Sequence, residues 1–283
     1  TGATNGTNTM ADYDAALEIL KLEDIQIIAT PEYNQSVLNL ISAHCVEMSA
    51  IEGKKERTFW CGLSKGTTVE NGTAYANSLN TDLGSVVIDS AIAVNPLTGA
   101  SEEISPSILA CKCAGIESAI SLSLPLTNKT INVSAFGKKR TKGELETMIK
   151  GGVVTFGEND DGLLVCIRSV TTYQADNLIK NERSMTRSVL FMDRDLRKAY
   201  NARIGDNKAP SEAEIIQILM NKAKQWYADD LIDKNDSGDL IFDAKVRFVG
   251  DKTYLTFTRY VRAPNNFIFI TGTNEVYTST VEL

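Results

Sequence analysis

No apolar run in the 283 residues approaches the roughly 20 needed to span a bilayer, so no membrane-crossing helix is expected. The opening TGATNGTNT has neither a basic stretch nor an apolar core, which excludes a secretory signal; turn-rich and without Met, it reads as an internal start of a longer protein. A basic excess is missing too. The net charge is −7, with 10 basic and 15 acidic side chains in residues 1–140 and 19 and 21 in residues 141–283, which argues against nucleic-acid binding. The five cysteines form no even set; they sit in apolar contexts and read as reduced core residues of an intracellular protein. Cys111 and Cys113 make a C-x-C on a predicted helix, where side chains two apart diverge by about 200° and form a poor metal pincer.

Catalytic motifs are absent as well. His44 is the sole histidine, inside LISAHCVEM, and no G-x-S-x-G elbow or partner acid accompanies it. A Ser-His-Asp enzyme would depend on that one ring, which reads instead as a packing histidine on a helix. GATNGTN has the glycines of a phosphate loop but neither G-x-G-x-x-G after a strand nor a closing G-K-[ST]. It reads as a turn into the first helix.

What is present is a globular composition, 43% hydrophobic and 23% charged, with length for one large domain or two ordinary ones. The first half alternates. Helices are predicted over 12–21, 33–48, 68–79 and 106–120, and strands over 25–29, 58–63, 86–88 and 91–94. Ser105-Pro106 supplies an N-cap and an N1 proline. Thr141 and Glu144 form a capping box, and Gly151 stops the helix they open. Such alternation predicts a largely parallel sheet covered by helices.

The stretch 151–200 changes the rhythm. Apolar runs at 153–156 and 163–167 flank GENDDG, read as a strand-connecting turn. Met185, Val189, Met192, Leu196 and Tyr200 then recur at helical spacing, with Arg187, Arg194 and Lys198 on another face. Ser211 and Glu214 cap a helix carrying Ile215, Leu219, Ala223 and Trp226. Met185, Met192 and Met220 read as core filler. Beyond this the period is that of strands: 244–249 and 253–261 form a hairpin turning at Gly250-Asp251, and 267–271 and 275–280 are further extended chain.

One local motif invites a metal. Asp233, Asn235, Ser237 and Gly238 occupy positions of a calcium loop, but the closing bidentate glutamate is replaced by Ala244, so an acidic surface turn is the stronger reading and no metal site is assigned. The apolar terminal segment, with Phe267, Ile268, Phe269, Ile270, Val276 and Tyr277, can complete its own sheet or pair with another chain's edge. Sequence order favours the former.

Several segments, in order, resemble a contractile phage tail sheath protein or its counterparts in related contractile injection machines. GATNGTNTMADYDAALEIL resembles the glycine-rich lead into the sheath core and its first helix, and IQIIATPEY the next strand and proline turn. SPSILACKCAGIE resembles a Ser-Pro-Ser start to a small-residue helix. GGVVTF and GLLVCIRSVTTYQ resemble a paired-strand unit ending in Arg168 and Thr171-Thr172. NERSMTRS resembles the helix start that follows, with Arg183 in the place of a recurrent arginine.

The resemblance implies an α/β fold: a subtilisin-like parallel-sheet core lacking a catalytic triad (1–140) and a smaller C-terminal α+β domain with a terminal strand arm (141–283). It implies a structural subunit, not an enzyme, polymerising as helically stacked hexameric rings around an inner tail tube and contracting to drive it through the host envelope. Baseplate and tail terminator proteins are further implied partners, with no cofactor, direct nucleic acid or membrane, and with a place in the virion after assembly in the host cytoplasm. Carried over by position, the arm is 267–280. The acceptor hairpin presents Val246, Phe248, Leu255 and Phe257, and Lys222 and Lys224 face the tube. The family's N-terminal arm and an earlier domain have no counterpart in these residues. The alternative is an α/β enzyme binding a nucleotide or small molecule beyond the carboxyl ends of the strands.

Overall fold

The computed structural model describes residues 8–205, 210–250 and 252–264. The chain opens with α1 (Met10–Leu22), β1 (Ile27–Ala29), α2 (Gln35–Ser49), β2 (Thr58–Gly62), α3 (Val69–Leu79) and β3 (Gly84–Val87). Then come β4 (Ala91–Val94), β5 (Ser101–Ile104), α4 (Pro106–Ala119), β6 (Ala135–Phe136) and α5 (Lys142–Lys150). The second half holds β7 (Thr155–Glu158), β8 (Leu164–Arg168), α6 (Leu178–Asn181), α7 (Arg183–Asn201) and α8 (Glu212–Ala228). It ends in β9 (Ile232–Asp233), β10 (Phe242–Val249), β11 (Lys252–Thr258) and β12 (Tyr260–Val261).

This is a mixed α/β architecture around a parallel sheet ordered β1-β2-β3. Its parallel part is smaller than the strand–helix alternation predicts. Among the described residues it is limited to these three strands and a bridge from Val86 to Val153. Beyond them β4 runs antiparallel to both β5 and β6, and β7 antiparallel to β8. The central strand β2 is buried along its whole length, as expected of a strand covered on both faces.

Two cores lie on the two faces of this sheet. One joins Leu38, Ile41 and Cys45 of α2 to Phe59 and Cys61, with Tyr75 and Ala76 of α3. The other joins Trp60 to Leu109, Ala110 and Cys113 of α4, and it takes in Val154, Phe156 and Cys166. Alternation along β2 thus sends Phe59 and Cys61 one way and Trp60 the other. A third core belongs to the second half: Met192 and Leu196 of α7 against Leu219, Ala223 and Trp226 of α8, with Leu231 and Ile232. Met185 is also buried, and Met220 packs at the margin of that core, so the three methionines fill space as expected.

The predicted caps are in place. Ser105 Oγ accepts from Ile108 N–H with Pro106 at the first helical position, and both Thr141–Glu144 and Ser211–Glu214 form full capping boxes. The stop of α5 differs slightly from expectation. Gly151 is the cap but has φ −85°, while the left-handed residue is Gly152 at φ +74°, where a Cβ would lie 3.0 Å from Thr171 O. Gly62 matters for another reason: a Cβ there would lie 2.2 Å from the Pro106 carbonyl carbon, so β2 and the start of α4 touch only because this residue has no side chain. The predicted strand 253–261 is broken at Arg259, and its last two residues pair with β9 instead of β10.

Candidate functional site

Helix α7 packs on the first core through Leu190 and on the third through Met192 and Leu196, and Arg183 is its first residue. Arg183 is almost fully buried and every N–H of its guanidinium is used. Nε donates to Glu117 Oε1 at 2.8 Å, and Nη2 to Glu117 Oε2 at 2.9 Å and Thr58 Oγ1 at 3.0 Å. Nη1 donates to Phe59 O at 3.0 Å and Ser85 Oγ at 3.1 Å. The guanidinium also stacks 4.5 Å from the Trp60 ring centroid, while Trp60 Nε1 donates to Glu117 Oε2 at 2.7 Å. Arg187 adds a hydrogen bond to Glu117 O at 3.0 Å.

Burial alone would push the Glu117 carboxyl up; Arg183, Arg187 and Trp60 outweigh it and hold the group below its usual range. Such a saturated pair has no free donor or acceptor for a substrate. It is a fastener joining α4, β2, β3 and α7. Lower on α7, Ser188 bonds Leu122 O, Arg194 pairs with Asp24, and Arg197 pairs with Glu56. Thr171 and Thr172 continue the seam, with Thr172 Oγ1 donating to Thr81 O at 2.9 Å.

His44 is buried, and its Nε2 lies 2.9 Å from Arg57 Nη1. Burial first, then Arg57 and Lys21, depress its pKa. No carboxylate or hydroxyl bonds the ring, so it has no relay partner. The cysteine thiols are free, and burial pushes Cys45 and Cys61 up to about 12, far from a reactive thiolate.

A cleft of about 720 Å³ lies beyond the carboxyl ends of β2 and β3, where an α/β enzyme would hold its ligand. Its cations are already occupied. Arg140 chelates Asp89 at 2.9 and 2.7 Å, Lys138 bonds Glu144 at 2.8 Å, and Lys65 bonds Glu103. With Glu70 also in the lining, carboxylates outnumber cations, which disfavours a phosphate-bearing ligand.

In the candidate calcium loop the ligand side chains are engaged elsewhere. The Asp233 carboxylate is taken by Arg262, with Nη2–Oδ1 at 2.6 Å, and Asn235 Oδ1 accepts from Asp239 N–H at 2.7 Å. Among the described residues, no three His, Cys, Asp or Glu side chains converge on a metal position. GENDDG is a connecting turn in which Asn159 Oδ1 accepts from Asp161 and Leu163 N–H.

The hairpin β10–β11 is a two-stranded ribbon with both outer edges unpaired among the described residues. Val246 faces Leu255, and Phe248 faces Thr253, so Val246, Phe248, Leu255 and Phe257 share one face. Leu255 and Phe257 pack on the third core, whereas Phe248 stays 47% exposed near the tip. Of the two lysines on α8, Lys224 is exposed, while Lys222 bonds Asp195 at 2.9 Å. Phe267, Ile268, Phe269, Ile270, Val276 and Tyr277 lie outside the described residues.

The fold is that of the sheath proteins of contractile injection machines. No protein-family model matches the sequence, and no curated protein matches it. Among solved structures, the helical sheath of the anti-feeding prophage in its contracted state is similar over 96% of this chain and 76% of that one, at 14% identity and TM-score 0.72. The sheath tail protein of Desulfitobacterium hafniense is similar over 91% of this chain at 12% identity and TM-score 0.69, and that of Listeria innocua over 92% at 14% and 0.69. This chain spans 61% of the length of each of these two tail proteins.

Proposed function

We propose that the protein is a structural subunit of a contractile sheath that polymerises around an inner tube and contracts to drive it through the host envelope. The observation that carries the reading is the structural likeness to sheath subunits over more than nine-tenths of the chain. Sequence identity this low transmits the fold and nothing finer, so the assembly and its partners are our inference.

In this reading residues 1–140 are a subtilisin-like core without a triad and residues 141–283 a C-terminal α+β unit. The third core, built from residue 192 onward with Leu122 at its margin, supports a separate second unit, while Val154, Phe156 and Cys166 belong to the core around Trp60. Subunits form helically stacked hexameric rings. The arm, 267–280, adds to the hairpin of a neighbour, because open edges offer main-chain donors and acceptors in fixed register. Val246, Phe248, Leu255 and Phe257 seat that hairpin. Lys224 is the freer tube contact; Lys222 would have to leave Asp195. Tube, baseplate and tail terminator proteins are the partners, in a virion tail or a related particle.

Negative-stain microscopy of the purified chain, alone and with its tube protein, tests the proposal. Tubes or stacked rings are expected. A variant ending at Asn266 should stay folded but monodisperse; long stable tubes from that variant would overturn the role of the arm. The enzyme alternative finds no support in a cleft whose cations are already bonded.

A further inference from the structure

The first helix is fastened at its C-terminal end by cations more than by apolar burial. Leu17 is its one buried residue, with Tyr13 and Leu20 packing partly on the first core. Lys55 Nζ donates to the carbonyls of Lys21 at 2.7 Å and Leu22 at 2.8 Å. Arg57, also buried, donates to Leu20 O at 3.0 Å, Glu23 O at 3.1 Å and Lys55 O at 3.2 Å. The last carbonyls of α1, which carry its partial negative charge, are thus closed by two side chains from the lead-in to β2.

The remaining partner of Arg57 is the chain's one imidazole, with Nη1 2.9 Å from His44 Nε2. A guanidinium has no lone pair to offer, so Arg57 donates and Nε2 is bare. The ring proton is therefore on Nδ1, which is buried without a partner.

We propose that His44 is an acid-sensitive latch: protonation at Nε2 removes the acceptor that Arg57 uses, sets two cations against each other in a buried place, and frees α1 from the body before the rest unfolds. Helix α2 contributes Glu47 and Cys45, α1 contributes Glu18 and Lys21, α7 contributes Arg194, and the segment between α1 and β1 contributes its ion-pair partner Asp24. Glu47 and Glu18 favour a charged ring, but burial, Arg57 and Lys21 outweigh them and hold His44 below its ordinary 6.5. In the open form the ring is solvated and takes up its proton first, so acid favours opening. The latch contributes fully above the open-form value and is lost as pH falls through the closed-form value. No other imidazole competes.

The test uses the intact chain in dilute monomeric solution. Native-state hydrogen exchange is followed at about pH 7.5 and about pH 5.0, as protection factors corrected for intrinsic rates, beside the ring NMR titration. Protection across Met10–Leu22 should drop on the order of tenfold, bounded near 30-fold by complete charging of an ordinary imidazole, while β2 and β3 are unchanged. The His44 ring should titrate below 6.5. His44→Gln, whose carbonyl can still accept from Arg57 but does not titrate, should lose the acid response. Arg57→Gln should leave α1 loose at both pH values. A wild-type α1 indifferent to pH, or a His44→Gln chain that keeps the drop, overturns the latch. Should His44→Gln not fold, a wild-type ring titrating at or above 6.5 overturns it alone.

Discussion

Arg183 uses all five of its donors on partners drawn from three other elements, so its removal strands more than one bond. Arg183→Met leaves Glu117 a buried carboxylate held by Trp60 and Arg187, and should cost about 3–5 kcal/mol in urea unfolding. The double variant Arg183→Met/Glu117→Leu should cost less than the single change, because no charge is then left uncompensated; a double cost equal to or above the single would sink this account. The pair also sets an acid limit. Glu117 is depressed in the folded state, so its contribution is complete above the ordinary carboxylate value of 4.5 and is lost as pH falls through the folded value. Acid unfolding of the double variant should lack that component. The position of Arg183 was legible through the family resemblance, but its partner was not. Nothing in the sequence joins residues 66 apart, and helical periodicity could only place Arg187 and Arg194 off the apolar stripe. Both are in fact buried, because α7 packs on the first half with one side and on α8 with the other. The pairing of His44 with Arg57 was hidden for the same reason.

At the scale of elements, helix starts follow from local sequence. Caps are fixed by three or four consecutive residues, and the Ser105, Thr141 and Ser211 starts all follow. Thr141→Ala should lower stability by about 1 kcal/mol, measured by thermal melting, since it leaves Glu144 N–H without its partner. The strands β5, β6 and β9 and the single turn α6 are not predicted by the sequence, being four residues or fewer with no periodicity. Nor is strand direction. Alternation predicts parallel neighbours, but a short connection such as 95–100 between β4 and β5 allows only a hairpin. Gly62 marks where two elements meet most closely. Gly62→Ala should destabilise by about 1–3 kcal/mol, with the loss read as a lower urea midpoint at unchanged slope.

For the whole molecule, three separate hydrophobic cores are held together by the seam along α7. Its net charge of −7 sets copies against one another, so the proposed assembly should be favoured by added salt. Light scattering across a salt series checks this, and assembly that weakens as salt rises would contradict it.

The long reach of Arg183 also has a consequence for synthesis. Its partners lie 66 to 125 residues earlier, so the central sheet emerges from the ribosome with Glu117 uncompensated and Ser85 and Thr58 lacking their donor. The central sheet therefore has to wait for α7, well into the second half, before its interior is complete. A nascent chain arrested just before residue 183 should remain protease-sensitive, while one extended far enough to free α7 should acquire resistance in a single step. The boundary between halves in sequence is thus not a boundary in folding time.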